Sequence, residues 1–207
     1  MSEYNKIKLF SLGNSAVGKT CYILKFTENE YSDINLTTTG IDLKTKVINY
    51  NEKEYKIDFY DTAGQERFKA ISLNSIKSAD GIVLMFDITN QKSFDDVSTW
   101  MENIKLAKGD DFPMILVGNK CDLVSKRIVE YEEGMELSQK YKIQYFEVSN
   151  KTGKNIQESS SALIKQIIDK REEEIKEILK GFEIIERFEL DRKTVISMNK
   201  QPKKKCC

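Results

Sequence analysis

The hydrophobic and polar positions of this chain alternate between two periods. Short apolar runs at Ile7–Leu12, Ile82–Phe86 and Met114–Val117 are the mark of strands buried on both faces, as in parallel sheets. Lys44–Tyr50 and Tyr55–Tyr60 instead alternate apolar with polar residues. The link between them, Asn51-Glu52-Lys53-Glu54, predicts a hairpin. Gln144–Val148 reads as a shorter final strand. Helical spacing falls at Lys19–Phe26, Lys92–Ala107, Tyr131–Tyr141 and Ile156–Asp169. Strands and helices in alternation predict an α/β fold: a six-stranded, mostly parallel sheet with one antiparallel edge strand and helices on both faces. Ligands of such sheets sit beyond the carboxyl ends of the strands. The residues that follow each strand are therefore where chemistry is expected.

After the first strand comes Gly13-Asn14-Ser15-Ala16-Val17-Gly18-Lys19-Thr20, a G-x-x-x-x-G-K-T run between strand and helix, which is the pattern of a phosphate-binding P-loop. Gly13 and Gly18 allow the backbone to curl close to a phosphate. The curl directs successive N–H groups inward, and the helix N-terminus adds positive potential. Lys19 can place an ammonium on the terminal phosphates, and the Thr20 hydroxyl can ligate Mg²⁺. After the third strand comes Asp61-Thr62-Ala63-Gly64-Gln65-Glu66. Asp61 stands where P-loop proteins hold Mg²⁺, the Gly64 N–H can reach a γ-phosphate, and Gln65 can orient an attacking water.

After the fifth strand comes Asn119-Lys120-Cys121-Asp122. The Asp122 carboxylate can accept from the ring N–H and the exocyclic amine of guanine. Adenine lacks that donor pair, and a site of this kind discriminates by about 10⁴–10⁵. Asn119 can tie this loop to the P-loop, and the Lys120 stem can cover one face of the base. After the last strand, Ser149-Asn150-Lys151 can offer a backbone N–H to the guanine carbonyl oxygen.

Composition narrows the function classes. Among 207 residues, 33 basic balance 33 acidic, so no whole-protein field favours nucleic acid. The 40% hydrophobic and 32% charged content reads as soluble and globular. No apolar run reaches the length of a membrane span, and the first residues lack the apolar core of a secretory signal. The chain has no histidine, which excludes imidazole catalysis and His-ligated metals. Cys21 and Cys121 form no zinc-like or C-x-x-C spacing, so a reduced, cytosolic setting is expected.

Taken together, the four strand-end loops over residues 5 to about 170 resemble the small Ras-like GTPases. Within them, DTAGQERF at 61–68, DITNQKSF at 87–94 and the terminal Cys206-Cys207 resemble the Rab group, regulators of vesicle traffic. The resemblance implies that Lys19 and the N–H groups of Asn14, Ser15, Ala16, Val17, Gly18 and Thr20 hold phosphates, with Cys21 closing that run. It implies that Thr20 and Thr38 ligate Mg²⁺, that Tyr31 lies against the guanine, and that Gln65 is catalytic. It also implies GTP and GDP as ligands. An exchange factor, a GTPase-activating protein, effectors and a prenyl-lipid carrier are the implied protein partners. Where Rab proteins carry I-G-I-D-F, Trp before D-T-A-G and a Tyr-Tyr pair, this chain has Thr39-Gly40-Ile41-Asp42-Leu43, Tyr60 and Ser75-Ile76. An altered effector face of Leu43, Tyr60 and Ile76 is therefore expected. Asn150, replacing the alanine of S-A-K, is expected to loosen guanine binding.

The remainder, 171–207, is expected to form a variable tail. Ile164, Ile168, Arg171, Ile175, Ile178, Phe182 and Ile185 continue a heptad-like stripe, interrupted by Arg171 and carrying Gly181 in its midst. Such a stripe fits a long last helix running into a linker, or a surface that docks a partner or a second copy. Lys200 and Lys203–Lys205 precede the two terminal cysteines. Double prenylation, implied by the resemblance, would anchor the chain to the cytosolic face of a membrane, because two lipid signals hold where one does not. Two other function classes compete with a hydrolysing switch: a GTP-locked adaptor, which Gln65 argues against, and a P-loop ATPase or kinase, which Asp122 argues against.

Overall fold

Strands β1 (Lys6–Leu12), β2 (Ile41–Tyr50), β3 (Lys53–Thr62), β4 (Gly81–Asp87), β5 (Met114–Asn119) and β6 (Gln144–Glu147) form one sheet in the order β2-β3-β1-β4-β5-β6. The computed structural model describes residues 5–30, 41–62 and 76–198, with backbone alone at 41, 42, 62 and 181–198. Every strand pair is parallel except β2 with β3. That exception has a local cause. Tyr50 pairs with Lys53, so the hairpin loop is only Asn51-Glu52, and both residues take positive φ, 49° and 62°. Positive φ at both central residues is the type I′ geometry whose twist matches the flanking strands. The loop is thus two residues shorter than the four-residue link expected from the pattern.

Helices α1 (Lys19–Glu28), α2 (Gln91–Asp95), α3 (Val97–Lys108), α4 (Tyr131–Tyr141) and α5 (Ile156–Met198) complete the fold, with a short 3₁₀ turn at Val124–Lys126. All seven residues of β4 are buried, as its unbroken apolar run requires. Alternate side chains point to opposite faces. On one face Ile82, Leu84 and Phe86 join Phe10, Leu12, Met114 and Leu116. Val97, Met101 and Ile104 close over that cluster from α3, one stripe at helical spacing. On the other face Phe59 of β3 meets the α1 rings of Tyr22 and Phe26 edge-on, at 6.2 and 6.0 Å. Each such buried ring contributes about 1.5–3 kcal/mol relative to an exposed one. The Tyr22 hydroxyl, fully buried, is paired with Ser159 Oγ at 2.7 Å and Ser160 Oγ at 2.8 Å. Burial pushes its pKa up to about 12.

The single helix expected over 92–107 divides at Asp96, which keeps helical dihedrals (φ −70°, ψ −12°) but ends α2 and begins α3. Asn90 caps α2 by accepting from the Ser93 N–H. The chain separates into two units, Met1–Ile167 and Ile168–Cys207. The first holds the sheet. In the second, helical backbone runs to Met198, straight through Gly181, and Ile178 and Leu179 are more than half exposed.

Candidate functional site

The carboxyl ends of β1, β3 and β5 bring the sequence-singled loops together. From Leu12 the chain turns through Gly13 (φ 134°), Ala16 (φ 62°) and Gly18 (φ 101°) into α1. A Cβ on Gly13 would lie 2.1 Å from the Met85 carbonyl oxygen of β4. A Cβ on Gly18 would lie 2.2 Å from Asn119 Nδ2 and 2.7 Å from Asn150 Nδ2. Both glycines are therefore demanded by close approach as well as by φ. Ala16 holds a left-handed conformation without that freedom, at a cost of about 1–2 kcal/mol.

Lys19, only 5% exposed, donates from Nζ to the Asn14 carbonyl at 2.7 Å and the Gly13 carbonyl at 3.1 Å. Burial lowers its pKa to about 8, and the nearby Asp61 charge opposes that shift. A buried ammonium facing neutral carbonyls gains when an anion arrives. The sign of the pH dependence follows. Below pH 8 the free site already carries its proton, so binding a polyphosphate takes up none. Above pH 8 the free lysine is neutral, and binding must restore the proton. Affinity for a nucleoside polyphosphate is expected to be flat below pH 8 and to fall about tenfold per unit above it. Calorimetry in buffers of different ionisation heat checks this: close to one proton taken up at pH 9 and none at pH 7.

The Thr20 hydroxyl donates to Asp61 Oδ2 at 2.5 Å. Parallel pairing of Ser11 with Asp61 sets that carboxylate level with the end of β1. One hydroxyl and one buried carboxylate are hard oxygen donors. They suit a Mg²⁺ that keeps waters and takes phosphate ligands, rather than an all-protein cage. Among the described residues no group of three or more Asp, Glu, Cys or His could hold a metal ion by itself.

Beyond β5, Asn119 donates from Nδ2 to the Val17 carbonyl at 2.7 Å, which ties the two loops. Lys120 turns back with φ 69° and pairs with Asp87 Oδ2 at 2.6 Å. Ser149 donates from Oγ to Asp122 Oδ1 at 2.6 Å and accepts from the Thr152 N–H at 3.1 Å, so it holds the carboxylate in a fixed plane. Asn150 is 4% exposed. Its side chain donates to the Gly18 carbonyl at 2.9 Å, and its N–H donates to Asn119 Oδ1 at 3.4 Å. The amide thus adds a second tie between the last loop and the P-loop, beside the contact of Asn119 with the Val17 carbonyl. Lys151 beside it is exposed, and Cys21 is partly buried within α1.

Other expectations fare differently. Ile76 is fully buried, packed in the cluster of Phe10, Leu84 and Phe86, and so cannot form an exposed effector face. Tyr60 is half-buried, stacked on Phe10 with centroids 4.6 Å apart, and Leu43 is 47% exposed. Tyr31, Thr38, Gly64, Gln65, Cys206 and Cys207 lie outside the described residues. Three site neighbours escaped sequence reasoning. Asp87 closes β4 and was within reach of the strand-end criterion. Asp96 and Trp100 bond the Asn14 side chain from 82 and 86 residues away, and no local pattern signals them.

Comparison with known proteins places the chain in a dense neighbourhood. A family model described as the Ras family matches residues 8–169. Ras-related protein Rab-13 of Canis lupus familiaris is 40% identical over 161 residues, 78% of this chain and 79% of the relative. GTP-binding protein ypt2 of Schizosaccharomyces pombe is 40% identical over 161 residues, 78% of this chain and 80% of the relative. Ras-related protein Rab-8B of Homo sapiens is 40% identical over 163 residues, 79% of each chain.

Proposed function

The chain belongs to the Rab group of the Ras family of small GTPases, and from that premise we propose that it is a GTP-hydrolysing switch whose two nucleotide states regulate vesicle traffic at a membrane. The observation that carries the reading is the convergence of buried Lys19, the Thr20–Asp61 pair and the Asn119–Asp122 loop at adjacent strand ends. In this reading Lys19 and the P-loop amides take the phosphates, and Asp122, held by Ser149, takes the guanine edge. Thr20, Asp61 and Thr38 would hold Mg²⁺, which would supply charge neutralisation to the phosphates.

Phosphoryl transfer to water depends on positioning and charge stabilisation. Gln65 orients the water, and Lys19 offsets charge near the β–γ bridge. An arginine directed at the γ-phosphate would add more. Arg127, the one arginine described in the first unit, is committed to Glu147 through paired contacts of 2.6 and 2.7 Å. Arg127 is therefore not free to take that role, and in this reading hydrolysis is slow alone and stimulated by a partner that supplies the charge. The output is the ordering of the Thr38 and Gly64 loops by the γ-phosphate and their release on hydrolysis. The tail lysines and prenylated Cys206 and Cys207 place that output on the cytosolic face of a membrane, with a carrier shielding the lipids. Among the described residues no helix is long and apolar enough to cross one.

Single-turnover hydrolysis by the purified chain tests the proposal. The expected rate is on the order of 10⁻⁴–10⁻³ s⁻¹, the scale of an unassisted Ras-type site. A rate near one per second would overturn the dependence on a partner. Gln65→Leu is expected to slow the step by about tenfold or more, since a mispositioned nucleophile loses its orientation advantage. Unchanged phosphate release in the variant would remove Gln65 from the mechanism, and no release from the wild type would favour the adaptor reading.

A further inference from the structure

The P-loop is held from a direction that the nucleotide reading leaves unexplained. Both ends of the Asn14 amide are taken by the start of α3. Nδ2 donates to Asp96 Oδ2 at 2.7 Å, and Oδ1 accepts from Trp100 Nε1 at 3.0 Å. Asp96 and Trp100 are four residues apart, one helical turn, and so present these groups on a single face. The main-chain carbonyl of the same Asn14 accepts from the Lys19 ammonium at 2.7 Å. One residue therefore joins the helix to the lysine: its side chain is fixed by α3 and its peptide fixes the ammonium. The bond to Asp96 is charge-assisted, the stronger class of hydrogen bond. α3 itself is anchored by Val97, Met101 and Ile104 in the core, so it is a firm base for the contact.

We propose that Asp96 and Trp100 are positioning residues of the nucleotide site, which set how long nucleotide is retained by fixing the Asn14 peptide on Lys19. This inference rests on the guanine-nucleotide reading above. Neither residue needs to touch the ligand. Their effect falls on dissociation rather than association, because the pre-set carbonyl–ammonium geometry is what a departing phosphate must leave.

The test is the dissociation rate of fluorescent GDP from the full chain, read beside the melting temperature. Trp100→Phe keeps the ring and removes the N–H; GDP release is expected to speed about fivefold, the worth of one hydrogen bond, with the association rate unchanged. Asn14→Asp sets two carboxylates against each other and is expected to speed release by about tenfold or more. The double variant Asn14→Asp, Asp96→Asn exchanges the amide and the carboxylate, rebuilds both bonds, and is expected to return within about twofold of the wild type. Asn14→Asp with Asp95→Asn has the same net charge but no rebuilt bond, and should stay fast. Trp100 is the only tryptophan in the chain, so its emission should change on nucleotide removal in the wild type and not in Asn14→Ala. If Trp100→Phe alters melting without altering release, or if the exchange does not rescue, the inference is wrong. A wild-type chain that binds no guanine nucleotide would instead overturn the reading beneath it.

Discussion

Replacing Asp122 with alanine is expected to weaken GTP and GDP binding by about 10²–10⁴-fold, because two hydrogen bonds to a charged group are lost at about 1.5–3 kcal/mol each. The structural reason to expect the upper part of that range is pre-organisation. Ser149 Oγ holds one carboxylate oxygen at 2.6 Å, and Ser149 is itself fixed by the Thr152 N–H on its Oγ and the Gly153 N–H on its carbonyl. The carboxylate thus waits in its bonding plane and gives up little freedom when the base arrives. The same substitution should reduce discrimination against ATP. In the wild type, adenine offers the Asp122 carboxylate no donor beyond the Ser149 hydroxyl, a penalty that disappears with the carboxylate. A GTP-versus-ATP competition assay measures both effects. Retained preference for GTP in the variant would show that the base is read elsewhere.

Gly18→Ala is expected to abolish nucleotide retention and to destabilise the fold by about 3 kcal/mol, from left-handed strain plus two lost hydrogen bonds of about 1 kcal/mol each. The methyl group would sit 2.2 Å from Asn119 Nδ2 and 2.7 Å from Asn150 Nδ2. Those amides are the donors to the Val17 and Gly18 carbonyls, so one methyl separates the loops after β5 and β6 from the loop after β1. A loss of that size lowers Tm by roughly 6–12 °C for a chain of this length. Gly109→Ala supplies the control. It shares positive φ, 84°, with an extended ψ of −174°, but a Cβ there meets nothing within 4 Å, so it should cost about 1–3 kcal/mol of strain and leave nucleotide in place. Scanning calorimetry and chromatography of the bound nucleotide distinguish the two. Equal behaviour of the variants would mean that strain alone, not the double clasp, governs Gly18.

The local code accounts for a particular part of this molecule. The apolar run of β4 demanded burial on both faces, the alternation in β2 and β3 demanded an edge hairpin, and G-x-x-x-x-G-K-T between strand and helix demanded a phosphate loop. These follow from side-chain period and backbone stereochemistry, which act over a few residues and are written in order along the chain. Strand-end position then selected Asp61, Asn119 and Asp122, because a parallel sheet delivers every such end to one edge.

Other features were settled only when distant segments met. An isoleucine at position 76 suits a surface patch or a core equally well, and the fold buries it in the cluster that holds Phe10, Leu84 and Phe86. Nothing local to Asn150 signals that its amide donates to the Gly18 carbonyl, 132 residues away. Asp96 and Trp100 carried no signal, since their partner is one asparagine side chain more than 80 residues earlier. Hydrogen bonds of this kind depend on distances of a few tenths of an ångström between chain-distant atoms. Sequence period specifies which face a residue occupies but not which atom stands opposite, and only the folded chain sets that distance.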